Sequence, residues 1–162
     1  RAPETVLRGR PLQMSRPLLC LCLGVDIDLA AQGIPNSNYF VIGTYDVEGL
    51  YDRIDAGEIP ADTVGFITAA TVKDPVSRHL APKGYTNLQI MTLAPADHEV
   101  WNVDRRPAEG GRYHRDPEYR RRKREVMEEM IATAERVVPD ISGHIRCCLS
   151  GLHIADQLGK SG

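Results

Sequence analysis

The sequence has no apolar run long enough to cross a membrane. The longest run, from Pro17 to Val25, has the length of a strand, whereas a spanning helix needs about 20 consecutive apolar residues. The N-terminus lacks the apolar core of a signal peptide. It also lacks an initial Met, which is consistent with a chain cut from a longer protein. We therefore expect a cytoplasmic location and leave peripheral contact with a membrane open.

The sequence also lacks an excess of charge of either sign. Its formal net charge is −2, which gives no reason to expect a nucleic-acid partner. The one basic run, Arg120 to Arg124, would point all round a helix axis, and glutamates lie close to it. We interpret it as a solvated helix face rather than a nucleic-acid patch.

Motifs for metal binding are absent. The cysteines occur as Cys20/Cys22 and Cys147/Cys148, and neither pair has the C-x₂₋₄-C spacing that zinc sites favour. We interpret them as small apolar residues in a reducing compartment, with a disulfide between the pairs as the alternative. The five histidines show no His-x-x-x-His spacing, and they are His79, His98, His114, His144 and His153. We predict no metal.

Motifs for catalysis and dinucleotide binding are absent too. No Gly-x-Gly-x-x-Gly follows a predicted strand, and Gly110-Gly111 follows a polar loop. His79 lies in a predicted loop that also contains Asp74 and Lys83, which is the one place where proton transfer is arguable. We expect His79 to be a surface histidine and assign no catalytic or cofactor-binding residue.

What the sequence does contain is organised around one stretch, Val64 to Trp101. Two apolar runs of strand length, Val64 to Ala70 and Leu88 to Leu93, flank a segment with two turn signals. These signals are Asp74-Pro75 and Ala81-Pro82-Lys83-Gly84. We predict that the two strands pair antiparallel.

Further elements would extend this pair. We predict strands at Leu18 to Val25, Tyr39 to Thr44 and Ile145 to Leu149, and a short helix capped by Asp46. Because Leu18 to Val25 is apolar on both faces, we expect burial on both.

The clearest helix follows Asp116, which is the predicted N-cap, and has Pro117 at its first position. Apolar residues recur along it at steps of three and four, forming one stripe, and Pro139 stops it. The fold class is then α+β, a mixed, largely antiparallel sheet of about four to five strands with one long helix packed on it. We expect residues 1–16 to be a poorly ordered N-terminal segment, 17–145 to be the α+β unit, and 146–162 to be a C-terminal tail of unassigned origin, frayed over residues 150–162.

The chain resembles a known family over most of its length, from about Leu18 to Ile145. A strand is followed by Lys73-Asp74-Pro75, then by Leu80-Ala81-Pro82-Lys83-Gly84, and then by a strand that ends in Ala-Pro and a Trp. This pattern resembles the FAD-dependent oxidoreductases of the phytoene desaturase, carotenoid isomerase and retinol saturase group. The resemblance covers the middle, substrate-domain segment only.

The resemblance implies the substrate-binding portion of an enzyme acting on an isoprenoid or other lipid-like polyene, inactive alone. It implies FAD as cofactor in the full-length family, but no binding motif for it lies in this chain. The sequence departs from the family after Ile145, where the family continues with a Thr-Pro strand. Whether this chain is itself an enzyme stays open, and the alternative is a non-enzymatic module that binds an apolar ligand or a partner.

The resemblance also implies that one sheet face lines an apolar tunnel. We expect five residues to share that face and contact substrate, and they are Phe66, Thr68, Ala70, Ile90 and Thr92. The alternative is that these residues are core beneath the long helix. The expected partners are an apolar small molecule and either a second copy of the chain or a flavin-binding half.

Overall fold

The computed structural model describes residues 16–59, 65–103 and 112–152. The predictions for residues 1–15, for Gly110-Gly111 and for residues 153–162 lie outside the described residues. No helix within these described ranges is long and apolar enough to cross a membrane.

Five strands form one sheet in the described residues. They are β1 (Leu18–Val25), β2 (Tyr39–Val41), β3 (Gly65–Ala69), β4 (Thr86–Leu93) and β5 (Ile145–Leu152). The strand order is β2-β3-β4-β1-β5, and every neighbouring pair is antiparallel. The predicted α+β class is confirmed, and so is the direct antiparallel pairing of the two strands of the organising stretch, β3 and β4.

Three α-helices are described, α1 (Val47–Asp55), α2 (Ala70–Lys73) and α3 (Pro117–Glu135). Leaving aside β2 and the short α2, the chain order is β1-α1-β3-β4-α3-β5, and β4 lies between the parallel strands β1 and β3. This is the split βαβ, or ferredoxin-like, arrangement. That arrangement hosts many unrelated functions, so it does not by itself assign one to this chain.

Two aspartates start the longer helices, as predicted. The Asp46 carboxylate accepts a hydrogen bond from the backbone N–H of Gly49 at 3.0 Å, at the N-cap of α1. At the N-cap of α3, Asp116 accepts from the backbone N–H of Tyr119 at 2.8 Å. Each carboxylate therefore satisfies a backbone donor that the helix itself leaves unpaired.

The core lies between one face of the sheet and the apolar stripe of α3. Alternate strand residues point into it, and they include Leu19, Leu21, Leu23, Ile67, Leu88 and Ile90. The stripe supplies Tyr119, Val126, Met130 and Ala134. We call this side of the sheet the helix face.

The other side of β1 differs from the prediction. Residues Leu19 to Val25 alternate between buried and half-buried positions, so the expectation that β1 is buried on both faces is wrong. The physical reason is that α3 packs on the helix face, while no described helix buries the opposite side of the strand.

Three strands end at residues other than those predicted. β2 stops at Val41 rather than Thr44, and β3 stops at Ala69 because Ala70 already begins α2. β5 continues to Leu152 instead of fraying from Ser150, since it pairs with β1 along this length. Residues 146–152 therefore belong to the α+β unit.

Candidate functional site

The candidate site is the side of the sheet opposite α3, which we call the open face. Cross-strand pairing and alternation assign its residues, which are Leu18, Cys20, Cys22, Gly24, Phe40, Phe66, Thr68, Asn87, Gln89, Met91, Leu93, Cys147 and Leu149. The described part of the chain buries none of them completely. Leu149 at one edge is 73% exposed and Phe40 at the other is 68% exposed.

None of the residues assigned here to the open face is charged, although 26% of the whole chain is charged. Arg146, at the irregularity in β5, is assigned to neither face. Solvated protein surfaces normally mix charges of both signs. A continuous uncharged and largely apolar surface indicates instead a place where another molecule binds.

An apolar row crosses four strands of this face. The rings of Phe40 and Phe66 lie 4.8 Å apart between centroids, tilted by 58°. Met91 is the cross-strand partner of Phe66, and Cys20 is the partner of Met91. At a strand spacing of about 4.8 Å the row is about 14 Å long. It is therefore long enough to contact an extended apolar molecule rather than a single methyl group.

The structure separates the residues that were expected to share a substrate face. Phe66 and Thr68 lie on the open face. Ile90 and Thr92 point to the helix face, where their exposed fractions are 0% and 2%, and Ala70 has left the strand for α2. The expectation of one shared face is therefore wrong, and for Ile90 the alternative of core beneath the helix is correct.

The error is one of register. Ile67 pairs with Ile90, and Gly65 pairs with Thr92, so the open-face partners of Phe66 and Thr68 are Met91 and Gln89. A shift of one residue exchanges the two faces of a strand. The sequence signal that was missed is the polar Gln89 between Leu88 and Ile90, which indicates that these two apolar residues face the core and that Gln89 faces the other side.

The cysteines of β1 share the open face, as expected for alternate strand residues. The Sγ atoms of Cys20 and Cys22 lie 3.9 Å apart, and neither is in a disulfide. Burial, with the neighbouring Cys22, raises the pKa of the Cys20 thiol to about 11. Cys20 is therefore a neutral, soft apolar group at neutral pH rather than a nucleophile.

A cluster of charges joins the end of β1 to the start of β5. Asp26 contacts His144 Nδ1 at 2.9 Å and accepts from Arg146 Nε at 2.7 Å. The hydrogen bond to His144, followed by that from Arg146, lowers the pKa of Asp26. The backbone N–H of Asp26 also donates to the His144 carbonyl at 3.1 Å. These contacts hold the start of β5 against the end of β1. The guanidinium of Arg146 is paired with the Asp26 carboxylate.

Side chains in the basic run of α3 form ion pairs and hydrogen bonds with other residues of the same chain. Arg121 forms an ion pair with Glu118 at 2.5 Å and a second one with Glu125. Hydrogen bonds from Arg121 and then Arg122 lower the pKa of Glu118 to about 2. Lys123 donates to the Ser150 carbonyl at 3.2 Å and so ties α3 to β5. The prediction that no nucleic acid binds here stays a prediction.

A cavity lies near the start of β4, between the turn near Asp28 and the loop from Asp74 to Gly84. Its volume is about 580 Å³. Asp74 and Lys83 line it, whereas the exposed His79 is not among the described residues that do. Its lining mixes acidic, basic and apolar side chains, among them Asp28, Arg78 and Val76, so it matches no single ligand chemistry.

The described residues do not fit a flavin dinucleotide. Such a group places its pyrophosphate at a helix N-terminus where backbone N–H groups are available. At the N-termini of α1 and α3, the carboxylates of Asp46 and Asp116 already occupy that position, and their negative charge would repel phosphate. Nor do the described ranges hold a group of three or more His, Cys, Asp or Glu side chains arranged for a metal ion.

Comparison with known protein families found no family that matches the chain, and a search of curated proteins found no match either. The open face is consequently interpreted from its own chemistry.

Proposed function

We propose that this chain is the substrate-binding portion of an FAD-dependent oxidoreductase of the phytoene desaturase, carotenoid isomerase and retinol saturase group. In this proposal the open face covers an isoprenoid or other lipid-like polyene. The supporting observation is the continuous uncharged surface of the open face, with its row from Phe40 to Cys20. The reaction class in this proposal is inferred from the sequence resemblance.

The role proposed for this chain is limited to holding the substrate. A long hydrocarbon that lies on an apolar surface spanning several strands is partly removed from water. This burial stabilises the complex by about 25 cal/mol for each Å² of apolar surface buried. Because the described residues do not fit the flavin, the group that performs the redox step must come from another part of a longer chain or from a partner. We assign no catalytic residue here.

A second candidate is a module without flavin, which binds an apolar ligand or a partner through the same open face. The observation that favours it is that the caps of both longer helices exclude a pyrophosphate. In both candidates we place the protein in the cytoplasm, where the free thiols of its cysteines would persist. A lipid-like ligand would bring it to a membrane surface.

The two candidates are separated by measuring the intact mass of the polypeptide in its source cells together with the flavin that copurifies with it. The oxidoreductase proposal predicts one flavin per chain, carried either by a polypeptide heavier than 18.0 kDa or by a tightly bound partner. A mass of 18.0 kDa without flavin in any complex would exclude it and leave the binding module.

A further inference from the structure

Two thiols and a thioether lie together on the central strands of the open face. The Sγ atoms of Cys20 and Cys22 are 3.9 Å apart, and Met91 on β4 is the cross-strand partner of Cys20. All three side chains are half-buried, so the sheet supports them and solvent still reaches them. We call these three residues the sulfur cluster.

The distance between the two thiols fits a shared metal ion better than a disulfide. Alternate residues of a strand are about 6.6 Å apart, so the two cysteine side chains lean toward each other to bring their Sγ atoms to 3.9 Å. A disulfide needs Cβ atoms about 3.5–4.5 Å apart, which is closer than an extended strand places alternate residues. Two thiolates on one metal ion, with metal–sulfur bonds of about 2.3 Å and an angle between tetrahedral and trigonal, are about 3.8–4.0 Å apart.

Met91 supplies a third donor from the neighbouring strand. Directly opposed residues of antiparallel strands have Cβ atoms about 4.5–5.5 Å apart, and the long, flexible side chain of methionine lets its sulfur reach across that gap. On the other side of β1, the partners of Cys20 and Cys22 are Gly151 and Leu149, whose side chains bind no metal. The donor set of the sulfur cluster is therefore two thiols and one thioether.

This donor set selects a soft metal ion. Thiolates and thioethers favour Cu(I), whereas carboxylates and carbonyls suit magnesium, calcium and manganese. Structural zinc sites almost always have four ligands, and the β4 residue opposite Cys22 is Gln89, which offers only an amide. Cu(I) has a closed shell and is stable with two or three sulfur ligands. The expectation of no metal rested on the spacing of zinc ligands, which Cu(I) does not need.

We propose that Cys20, Cys22 and Met91 bind one Cu(I) ion, with both cysteines as thiolates and the Met91 thioether as the third ligand. Each thiol releases its proton to solvent on binding, and no electron is transferred, because copper enters and stays as Cu(I). This inference goes beyond the proposed function and does not depend on it, since it concerns the sulfur cluster and not the molecule that covers the open face.

The chemistry of Cys20 is consistent with a site that is occupied by a proton when metal is absent. Burial, with the neighbouring Cys22, raises the pKa of Cys20, so this thiol keeps its proton in the metal-free protein. A thiol that coordinates a metal ion loses its proton outright. Copper therefore replaces a proton at Cys20.

The test titrates the purified, reduced chain anaerobically against the coloured complex of Cu(I) with bicinchoninate. The wild-type chain should remove one Cu(I) per chain, and Cys20→Ser/Cys22→Ser should lose this capacity. The matched control is Cys147→Ser/Cys148→Ser, which removes the same number of thiols from exposed positions on β5 and should keep it. Circular dichroism should show that both double variants fold as the wild type does.

Met91→Leu tests the third ligand at nearly constant side-chain volume. We expect the affinity for Cu(I) to fall by at least about 10-fold, which is the smaller loss found when only an outer-shell partner of a ligand is removed. X-ray absorption at the copper edge of the wild-type complex should show sulfur neighbours only. Nitrogen or oxygen neighbours in place of sulfur would overturn the assignment.

Three other results would overturn the proposal. If the wild-type chain removes no Cu(I) from bicinchoninate, the contact between Cys20 and Cys22 is only an S–H···S contact. If Cys20→Ser/Cys22→Ser binds Cu(I) as tightly as the wild type, the ion binds elsewhere. If native mass spectrometry finds copper only in dimers, the ligands come from two chains. None of these results bears on the proposed function, which is tested by the flavin measurement.

Discussion

Adjacent residues on β4 provide a direct test of the two-sided sheet. Ile90 is fully buried on the helix face, whereas Met91 is half-buried on the open face. Changing either residue to alanine removes three heavy atoms, so the two variants are matched in size. The difference in stability between them therefore measures the difference in surroundings.

The expected magnitudes follow from burial. Ile90→Ala loses about 2.4 kcal/mol from three buried carbon groups at about 0.8 kcal/mol each. A cavity adds to this, giving a cost of about 3–4 kcal/mol within the usual range for such changes. Met91→Ala loses transfer free energy only from its covered part and leaves an open surface rather than a cavity, so we expect about 1 kcal/mol.

Urea unfolding followed by circular dichroism measures both values. With a slope near 2 kcal/mol per molar urea, Ile90→Ala should lower the midpoint by about 1.5–2 M and Met91→Ala by about 0.5 M. Ile90→Val should fall between wild type and Ile90→Ala. Equal losses for the two alanine variants would refute the reasoning, because Met91 would then be packed as tightly as Ile90 in the folded protein.

Three further predictions follow from named contacts. Because its pKa is lowered in the folded state, Asp26 adds stability above its unfolded pKa that is lost as the pH falls below about 4; thermal melts should show a smaller loss between pH 7 and pH 3 in Asp26→Asn than in wild type. Asp116→Ala should lower the melting temperature and Asp116→Asn should lower it less, because asparagine still caps the helix; equal losses would contradict the capping role. Gly24→Ala should be destabilising in urea because its Cβ would meet Cys147 Sγ at 2.5 Å, and Cys147→Ala in the same chain should restore stability; without rescue, the clash is not the cause.

Much of the fold could be predicted because its signals are local. The N-cap at Asp116, the Pro117 that follows and the apolar stripe of α3 lie within one helix, and all three are found as expected. The strand at Leu18–Val25 was equally clear from its apolar run. Caps, proline positions and periodicity depend on neighbours in sequence, so no tertiary information was needed.

The face of each strand residue could not be predicted, because it depends on partners distant in the chain. Phe66 and Ile90 lie on opposite faces of the sheet because the residue that pairs with Ile90 is Ile67. Nothing within either strand fixes that register. The same limit applies to β5, since residues Ser150 to Leu152 include no β-branched or aromatic residue, and pairing with β1 determines their conformation.

The position of β1 in the sheet has a consequence for the order of events during synthesis. Leu21 pairs with Ile90 on one side and with Ser150 on the other, so both neighbours of β1 are translated long after it. At bacterial to eukaryotic rates of about 5–20 residues per second, β1 waits several seconds for its first partner and longer for its second. During that time Leu18–Val25, the most apolar segment of the chain, is exposed to other nascent chains. The pairing of β1 with β5 is therefore the last step of sheet formation during synthesis.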